Sequence, residues 1–233
     1  MTTPDPKSLE FFQKTWQVYR KIVDENYMSH REIFHEVAHI LEGSGITNAR
    51  ILDLGCGDGG TMTAVLEEVP FASYLGLDAS EPALALARKS LTRHDGKVFF
   101  ICSDMLDFLR IYDKEKFDVI VVSFALHHLQ PEEKSEFLAL CKSILTNQGQ
   151  VIIIDVFRRS KQSREAYLDD YCDDMAQRWT ALSTDELAMV THHVRNFDFP
   201  ESFEEFVHIA ESNNLRAESR ASHYGYHGLL TLR

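Results

Sequence analysis

The sequence has few cysteines, no long apolar run and a deficit of positive charge, and each shortage removes a class of protein. Its four cysteines, Cys56, Cys102, Cys141 and Cys172, are far apart and form no C-x-x-C pair. That spacing fits reduced, mostly buried thiols better than a disulfide frame or a zinc site. No apolar stretch approaches the roughly 20 residues needed to cross a bilayer, so no membrane span is expected. Met1 to Pro6 contain two prolines and no basic-plus-apolar pattern of a signal or transit peptide, which makes the cytoplasm the expected location. Lys and Arg number 24 against 36 Asp and Glu, a net charge of −12. A protein that holds nucleic acid through its phosphates needs a basic face; this total argues against one, though a local basic patch can exist in an acidic chain. No internal repeat or low-complexity segment is present.

What remains is ordinary globular composition, 44% hydrophobic and 26% charged over 233 residues, which argues against long disorder. That length suits one α/β domain with decorations. Two helices are predicted first, Ser8–Ile22 and one following Ser29 or His30 that stops at Gly43-Ser44-Gly45, together an N-terminal cap over residues 1–43. Short apolar runs then alternate with helical stretches. The strands are predicted at Arg50–Leu54, Tyr74–Leu77, Val98–Cys102, Val119–Phe124 and Val151–Val156, the helices near Thr61–Glu68, Pro82–Leu91, Asp104–Leu109 and Glu132–Leu145. Fully apolar strands separated by helices imply a parallel sheet covered on both faces. Residues 158–199 break this rhythm with a helical insertion, Gln162–Val194. A final helix opens at Pro200-Glu201-Ser202, and Leu215–Arg220 and Gly228–Leu232 read as a closing antiparallel hairpin around His223-Tyr224-Gly225.

The most informative stretch is Ile51-Leu52-Asp53-Leu54-Gly55-Cys56-Gly57-Asp58-Gly59-Gly60, a buried strand running into a glycine-rich turn before a helix at Thr61. Glycines let the backbone turn sharply and come close to a ligand, and the carboxyl ends of such strands are where open α/β sheets bind. Gly55, Gly57 and Gly60 also satisfy the G-x-G-x-x-G dinucleotide fingerprint, weak evidence alone. Asp53, two residues before Gly55, stands where a dinucleotide site usually has a small apolar residue.

The Asp53-Leu54-Gly55-Cys56-Gly57-Asp58-Gly59 run closely resembles the first motif of class I S-adenosylmethionine-dependent methyltransferases, and the resemblance continues down the chain. Leu75-Gly76-Leu77-Asp78 ends the second strand with an acid about 20 residues beyond the loop, placed for ribose hydroxyls. Ser103-Asp104-Met105 ends the third, where the family commonly has an acid and an apolar neighbour around adenine. Phe117-Asp118 through Leu126-His127-His128-Leu129 resembles the fourth-strand motif, and Leu145-Thr146-Asn147-Gln148-Gly149-Gln150 the turn before the fifth strand, with Asn147 and Gln148 departing from the usual lysine and proline. The motifs cover roughly residues 50–157, the cofactor-binding core.

The resemblance implies a three-layer, doubly wound Rossmann-like sheet of about seven strands with the last antiparallel. It implies S-adenosylmethionine as cofactor and methyl transfer to a nitrogen or oxygen of a small-molecule acceptor. Gly55, Gly57 and Gly59 should line the amino-acid half of the cofactor with Cys56 packed among them, and Asp53 should reach toward its amino group. Asp78, with Ala79 beside it, should take the ribose; Asp104 and Met105, the adenine. Ser123, Phe124 and Ala125 should border the methionine end. Asp104 can instead be a helix N-cap, and Asp78 a solvated strand-end carboxylate.

Sulfonium chemistry asks the protein mainly to align a nucleophile and exclude water, with a base only for a protonated acceptor. His128 and His30 are the candidate bases; a structural or cofactor-flanking role is the alternative for the His127-His128 pair. Tyr27, His30 and Arg31 lie between the N-terminal helices, which in this family often fold over the cofactor. Tyr27, Tyr171, Trp179 and His193 are the candidate acceptor contacts. The acids around Tyr167–Asp174 suit a cationic acceptor or a solvated helix face equally. No tight ligand spacing supports a metal site, and none is assigned. Competing readings are a protein or tRNA methyltransferase, a nicotinamide-dependent oxidoreductase, and a non-catalytic binding module.

Overall fold

Runs rich in β-branched and aliphatic residues form the centre of the molecule, because a strand covered by helices on both faces has little side left for water. In the computed structural model, which describes residues 16–94 and 96–233, these runs are β1 (Ala49–Leu54), β2 (Phe71–Asp78), β3 (Val98–Cys102), β4 (Phe117–Ser123) and β5 (Leu145–Val156). They pair in parallel, and an antiparallel β7 (His227–Leu232) joins β5 to β6 (Ala217–Tyr224), giving the order β3-β2-β1-β4-β5-β7-β6. The order reverses at β1, which has β2 on one side and β4 on the other, so a crevice opens at the carboxyl ends of β1 and β4.

Helices α1 (16–24), α2 (His30–Gly43) and α3 (Gly60–Glu68) precede and follow β1; α4 (Glu81–Ser90), α5 (Met105–Ile111) and α6 (Pro131–Ile144) connect the next strands; α7 (Arg164–Arg178), α8 (Thr184–Phe197) and α9 (Phe203–Ser212) lie between β5 and β6. Local chemistry sets several of these starts. Gln130 with Glu133, Ser183 with Glu186 and Ser202 with Glu205 form reciprocal capping boxes at α6, α8 and α9, each satisfying two orphan backbone donors. Three apolar clusters result. Leu52, Ile120, Phe137 and Phe206 belong to one face of the sheet, and Ile51, Val37, Val65 and Ile152 to the other. The third joins Val18 and Ile22 of α1 to Tyr167, Tyr171, Met175 and Trp179 of the insertion.

The differences from expectation lie at element ends. β2 starts at Phe71 and β5 at Leu145, well before the apolar runs that mark them, because edge residues with one polar face still complete the ladder. The hairpin turns at Gly225-Tyr226 rather than at His223. The part of the first predicted helix before residue 16 lies outside the described residues. The insertion is two helices, tied to the N-terminal segment by Lys21 Nζ to Glu186 at 2.6 Å and by the ring of Tyr27 stacked on Trp179 at 5.3 Å.

Candidate active site

The glycine turn is held by its own backbone. The N–H groups of Gly55 and Cys56 both donate to the Leu77 carbonyl, at 2.8 and 2.9 Å, which ties the end of β1 to the end of β2. Gly57 N–H donates to Asp78 Oδ2 at 2.9 Å, and Ser80 N–H to Asp78 Oδ1 at 2.8 Å. Gly55 and Gly57 have φ of +76° and +56°, a region costly for other residues. Opposite them, a Cβ on Gly76 would fall 2.9 Å from Cys56 Sγ, so β2 needs its glycine for the turn to seat.

Asp53 lies at the bottom of this crevice, buried. Tyr74 donates its hydroxyl to Asp53 Oδ2 at 2.6 Å, while Asp53 Oδ1 is buried with no hydrogen-bond partner. Burial pushes its pKa up to about 7, against the opposing effect of the Tyr74 hydroxyl. A buried acceptor without a donor carries a desolvation cost of about 1–3 kcal/mol, which a cationic amino group placed against it would remove. The cleft above measures about 420 Å³, and Trp16 and Tyr19 of α1 close one side of it. Arg20 Nη1 to Asp58 Oδ2, 3.1 Å, ties that helix to the glycine turn. A larger recess of about 740 Å³ beside His39 and Arg216 contains no residue of the turn.

Of the residues expected at the cofactor, Asp53, Gly55, Cys56, Gly57, Asp78, Ser123 and Phe124 line the cleft. Four do not. Gly59 caps α3 and faces Leu91. Ala79 is exposed, its carbonyl accepting from Cys102 Sγ. Asp104 caps α5, its Oδ1 accepting from the N–H of Leu106 at 2.8 Å and of Asp107 at 3.1 Å, and Met105 packs on the core below. Asp104 thus fills the capping role through its Oδ1. Cys56 is buried, which pushes its thiol up and suits a packed residue rather than a nucleophile.

The acceptor candidates need more correction. Tyr171 and Trp179 are 2% and 3% exposed and form the apolar centre of the insertion. Tyr171 Oη meets His227 Nε2 at 2.8 Å, and Tyr27, stacked on Trp179, accepts from Ala181 N–H at 2.8 Å. These aromatics brace the insertion against the N-terminal segment and are absent from the cleft wall. His30 is buried between Phe124 and Tyr19, at ring distances of 4.9 and 6.3 Å, with both nitrogens unpartnered. Burial pushes its pKa down to about 4, so it stays neutral. It lines a neighbouring recess with Phe34 and Thr61.

His128 does reach the cleft. Burial, with His127 and His193 nearby, pushes its pKa down to about 3. Behind it, His127 Nδ1 makes a short hydrogen bond to Asp155 Oδ1, and His127 N–H donates to Asp155 Oδ2 at 2.9 Å. Burial presses the His127 pKa down, and the Asp155 carboxylate more than reverses it. Asp198 faces both imidazoles, 3.7 Å from His127 Nε2 and 3.5 Å from His128 Nδ1, and His193 Nε2 lies 3.9 Å from the same Oδ1. Burial raises the Asp198 pKa to about 6. Sequence reasoning missed Asp155 and Asp198. The available signal was an acid inside the apolar run Ile152-Ile153-Ile154-Asp155-Val156 and another just before Phe199-Pro200.

Comparison with known proteins agrees with this geometry. Residues 51–149 match the model of a family described as a methyltransferase domain. The chain is 25% identical over 194 residues to a carboxy-S-adenosyl-L-methionine synthase of Campylobacter hominis, covering 83% of this chain and 81% of that one. It is 28% identical over 166 residues to an uncharacterized methyltransferase of Staphylococcus carnosus, covering 70% and 74%. The magnesium protoporphyrin IX methyltransferase of Synechocystis PCC 6803, solved with bound S-adenosylmethionine, shares the fold at a TM-score of 0.62 and 14% identity, over 100% of this chain and 98% of that one. Other structures sharing the fold are longer, and the chain spans 53% of one and 62% of another.

Proposed function

We propose that the chain is a class I S-adenosylmethionine-dependent methyltransferase, a reading supported by the match of residues 51–149 to a methyltransferase domain, and that it methylates a nitrogen or oxygen of a small-molecule acceptor bound in the cleft between the glycine turn, α1 and the turn after β4. The observation that carries this reading is the unpartnered Asp53 Oδ1 at the bottom of the cleft, an anionic acceptor awaiting a cationic donor. When bound, the cofactor supplies a methyl group already activated on a sulfonium. The protein then has to hold, orient and dry the reactants.

Asp53 takes the cofactor's amino group, and Asp78 offers the ribose hydroxyls the lone pairs that Gly57 and Ser80 leave free. Gly57, where an added Cβ would meet nothing nearer than Trp16 at 3.9 Å, leaves room for a ligand against its backbone. Trp16 and Tyr19 cover the cleft from the solvent side. His128, kept neutral by its lowered pKa, stands on the cleft wall where the acceptor faces it. A small acceptor is supported by the covered cleft of about 420 Å³ and by a net charge of −12, which disfavours tRNA.

Calorimetry with S-adenosylhomocysteine tests the cofactor, and metabolite pools screened for S-adenosylhomocysteine release test the acceptor class. Release that depends on added small molecules supports the reading. Exclusive binding of a nicotinamide dinucleotide refutes it, and accumulation of a carboxylated cofactor assigns instead the chemistry named for the Campylobacter hominis relative.

A further inference from the structure

We propose that His127 Nε2, His128 Nδ1 and Asp198 Oδ1 form a site for a divalent transition-metal ion of the zinc class beside the methyl-transfer cleft. The three residues come from the turn after β4 and from the segment before α9, about seventy residues apart, so no sequence spacing advertises them; one ligand atom from each lies within 4.8 Å of the others. Ligand atoms arranged tetrahedrally around zinc at about 2.0–2.2 Å are about 3.3–3.6 Å apart. The distances from Asp198 Oδ1, 3.5 Å to His128 and 3.7 Å to His127, are close to that spacing.

Asp198 is 3% exposed, and its Oδ1 has no hydrogen-bond donor. A buried carboxylate oxygen in that state is costly. The groups facing it offer lone pairs when neutral. His127 gives its Nδ1 to Asp155, which leaves Nε2 turned toward Asp198 Oδ1 at 3.7 Å, beyond ordinary hydrogen-bond range. His128 Nδ1 has one other neighbour, the Phe197 carbonyl at 3.4 Å, beyond ordinary N–H···O range. A cation at the centre satisfies all three atoms at once. Two imidazoles and one carboxylate suit zinc or a neighbouring transition ion better than calcium or magnesium, which take oxygen ligands.

The surroundings have the form of a supporting shell. Asp155 fixes the His127 ring through the nitrogen that does not face Asp198, as carboxylates commonly do behind metal-bound histidines. Asp198 itself is held from both neighbours: Phe199 N–H donates to the His127 carbonyl at 2.7 Å, and Arg164 Nε to the Asp198 carbonyl at 2.7 Å. His193 Nε2 lies 3.9 Å from Asp198 Oδ1, outside the three-residue group, which leaves a fourth position open.

Since His128 is also a wall of the cleft, an open coordination position there suits a hydroxyl acceptor, an assignment that rests on the methyl-transfer reading. Coordination releases the acceptor's proton to solvent. The acceptor atom then bonds to the methyl carbon as the C–S bond breaks and its electron pair returns to sulfur. His128 thereby holds the ion and does not itself carry the proton.

The test titrates the full-length, EDTA-treated protein with zinc against a chromophoric chelator. One zinc per chain is expected, with His128→Ala and Asp198→Asn each weakening it at least 100-fold at unchanged far-ultraviolet dichroism, and Asp155→Asn weakening it about 10–100-fold. His128→Ala removes a half-exposed side chain, so it remains informative if Asp198→Asn fails to fold. No stoichiometric zinc uptake by the wild type, or uptake unchanged in folded His128→Ala protein, overturns the proposal. Calorimetry with S-adenosylhomocysteine on the same metal-free protein separates the two readings: cofactor binding without zinc binding keeps methyl transfer and removes the metal site.

Discussion

Lys134 on α6 and Glu201 at the start of α9 form an ion pair at 3.1 Å, with the lysine side chain fully buried. Lys134 Nζ also donates to the Phe199 carbonyl, and Arg158 Nη2 reaches Glu201 Oε2 at 3.2 Å. The segment 198–201 is thus fastened on both sides, and Asp198 is placed against His127 and His128 as a consequence. Removing one partner of a buried pair costs about 3–5 kcal/mol, because the other charge is left in a low dielectric. Lys134→Met should cost about 3 kcal/mol, the lower end, since Arg158 still neutralises Glu201. Adding Glu201→Gln should recover part of the loss. Guanidinium unfolding of the single and double variants measures both; a Lys134→Met protein as stable as wild type would remove the fastening role.

Asp53 makes cofactor affinity depend on pH. Its carboxyl titrates near pH 7 in the free protein because of burial, and burial also raises Asp78 despite the Ser80 and Gly57 N–H groups. An amino group bound beside Asp53 favours the ionised form, so binding below pH 7 must first expel a proton. Affinity for S-adenosylhomocysteine should therefore be flat above about pH 7 and fall up to tenfold per unit below it. Asp53→Asn should lower affinity at pH 8 and flatten the profile. Without cofactor the linkage is reversed: this group's contribution to stability is complete below its ordinary 3.8 and is lost as the pH rises through about 7. Calorimetry between pH 5.5 and 8.5 decides the first point, and a flat wild-type profile would count against Asp53 as the amino-group partner.

Gly55 and Gly57 separate folding from binding. Both have positive φ, so alanine strains the backbone by about 1–2 kcal/mol at either position. At Gly55 the new Cβ would also fall 2.7 Å from Ala125 Cβ, adding about 1–3 kcal/mol of overpacking. At Gly57 the nearest atom is 3.9 Å away. Gly55→Ala should therefore lower the melting temperature by several degrees more than Gly57→Ala. The latter should lose cofactor affinity while its stability falls by only the backbone strain of about 1–2 kcal/mol. Equal stability losses would show that Ala125 moves aside freely.

The sheet was legible because its cause is local. Val98–Cys102 is an apolar run bounded by polar residues, and β3 occupies those residues. The glycine turn and Asp78 were legible for a related reason, since φ > 0 and a strand-end acid each restrict which residues serve. Asp104 was ambiguous because N-capping and ligand contact ask for the same side chain, and its backbone geometry supplies the capping half. Tyr171 and Trp179 misled because an aromatic stripe on a helix looks alike whether it faces a substrate or a neighbouring helix. Asp155 and Asp198 were invisible as a pair: nothing in the sequence says that β5 and the end of α8 meet at His127.

Those placements change what the insertion can reveal about the acceptor. Trp179 is buried against Tyr27 and Tyr171, so Trp179→Ala should destabilise the protein by about 3–5 kcal/mol through lost packing. Any kinetic change in that variant mixes folding with recognition. His193 is the better probe. Its side chain is 55% exposed and its ring lies 5.3 Å from that of His128. Exposed substitutions usually stay within about 0.5 kcal/mol, so His193→Ala should leave unfolding unchanged. If α8 borders the acceptor, His193→Ala should alter the acceptor's KM or kcat while S-adenosylhomocysteine affinity stays within about threefold, roughly 0.6 kcal/mol. Normal kinetics with the true acceptor would confine the insertion to bracing α1, and the acceptor would then be sought among Tyr19, Phe124 and His128, which line the cleft.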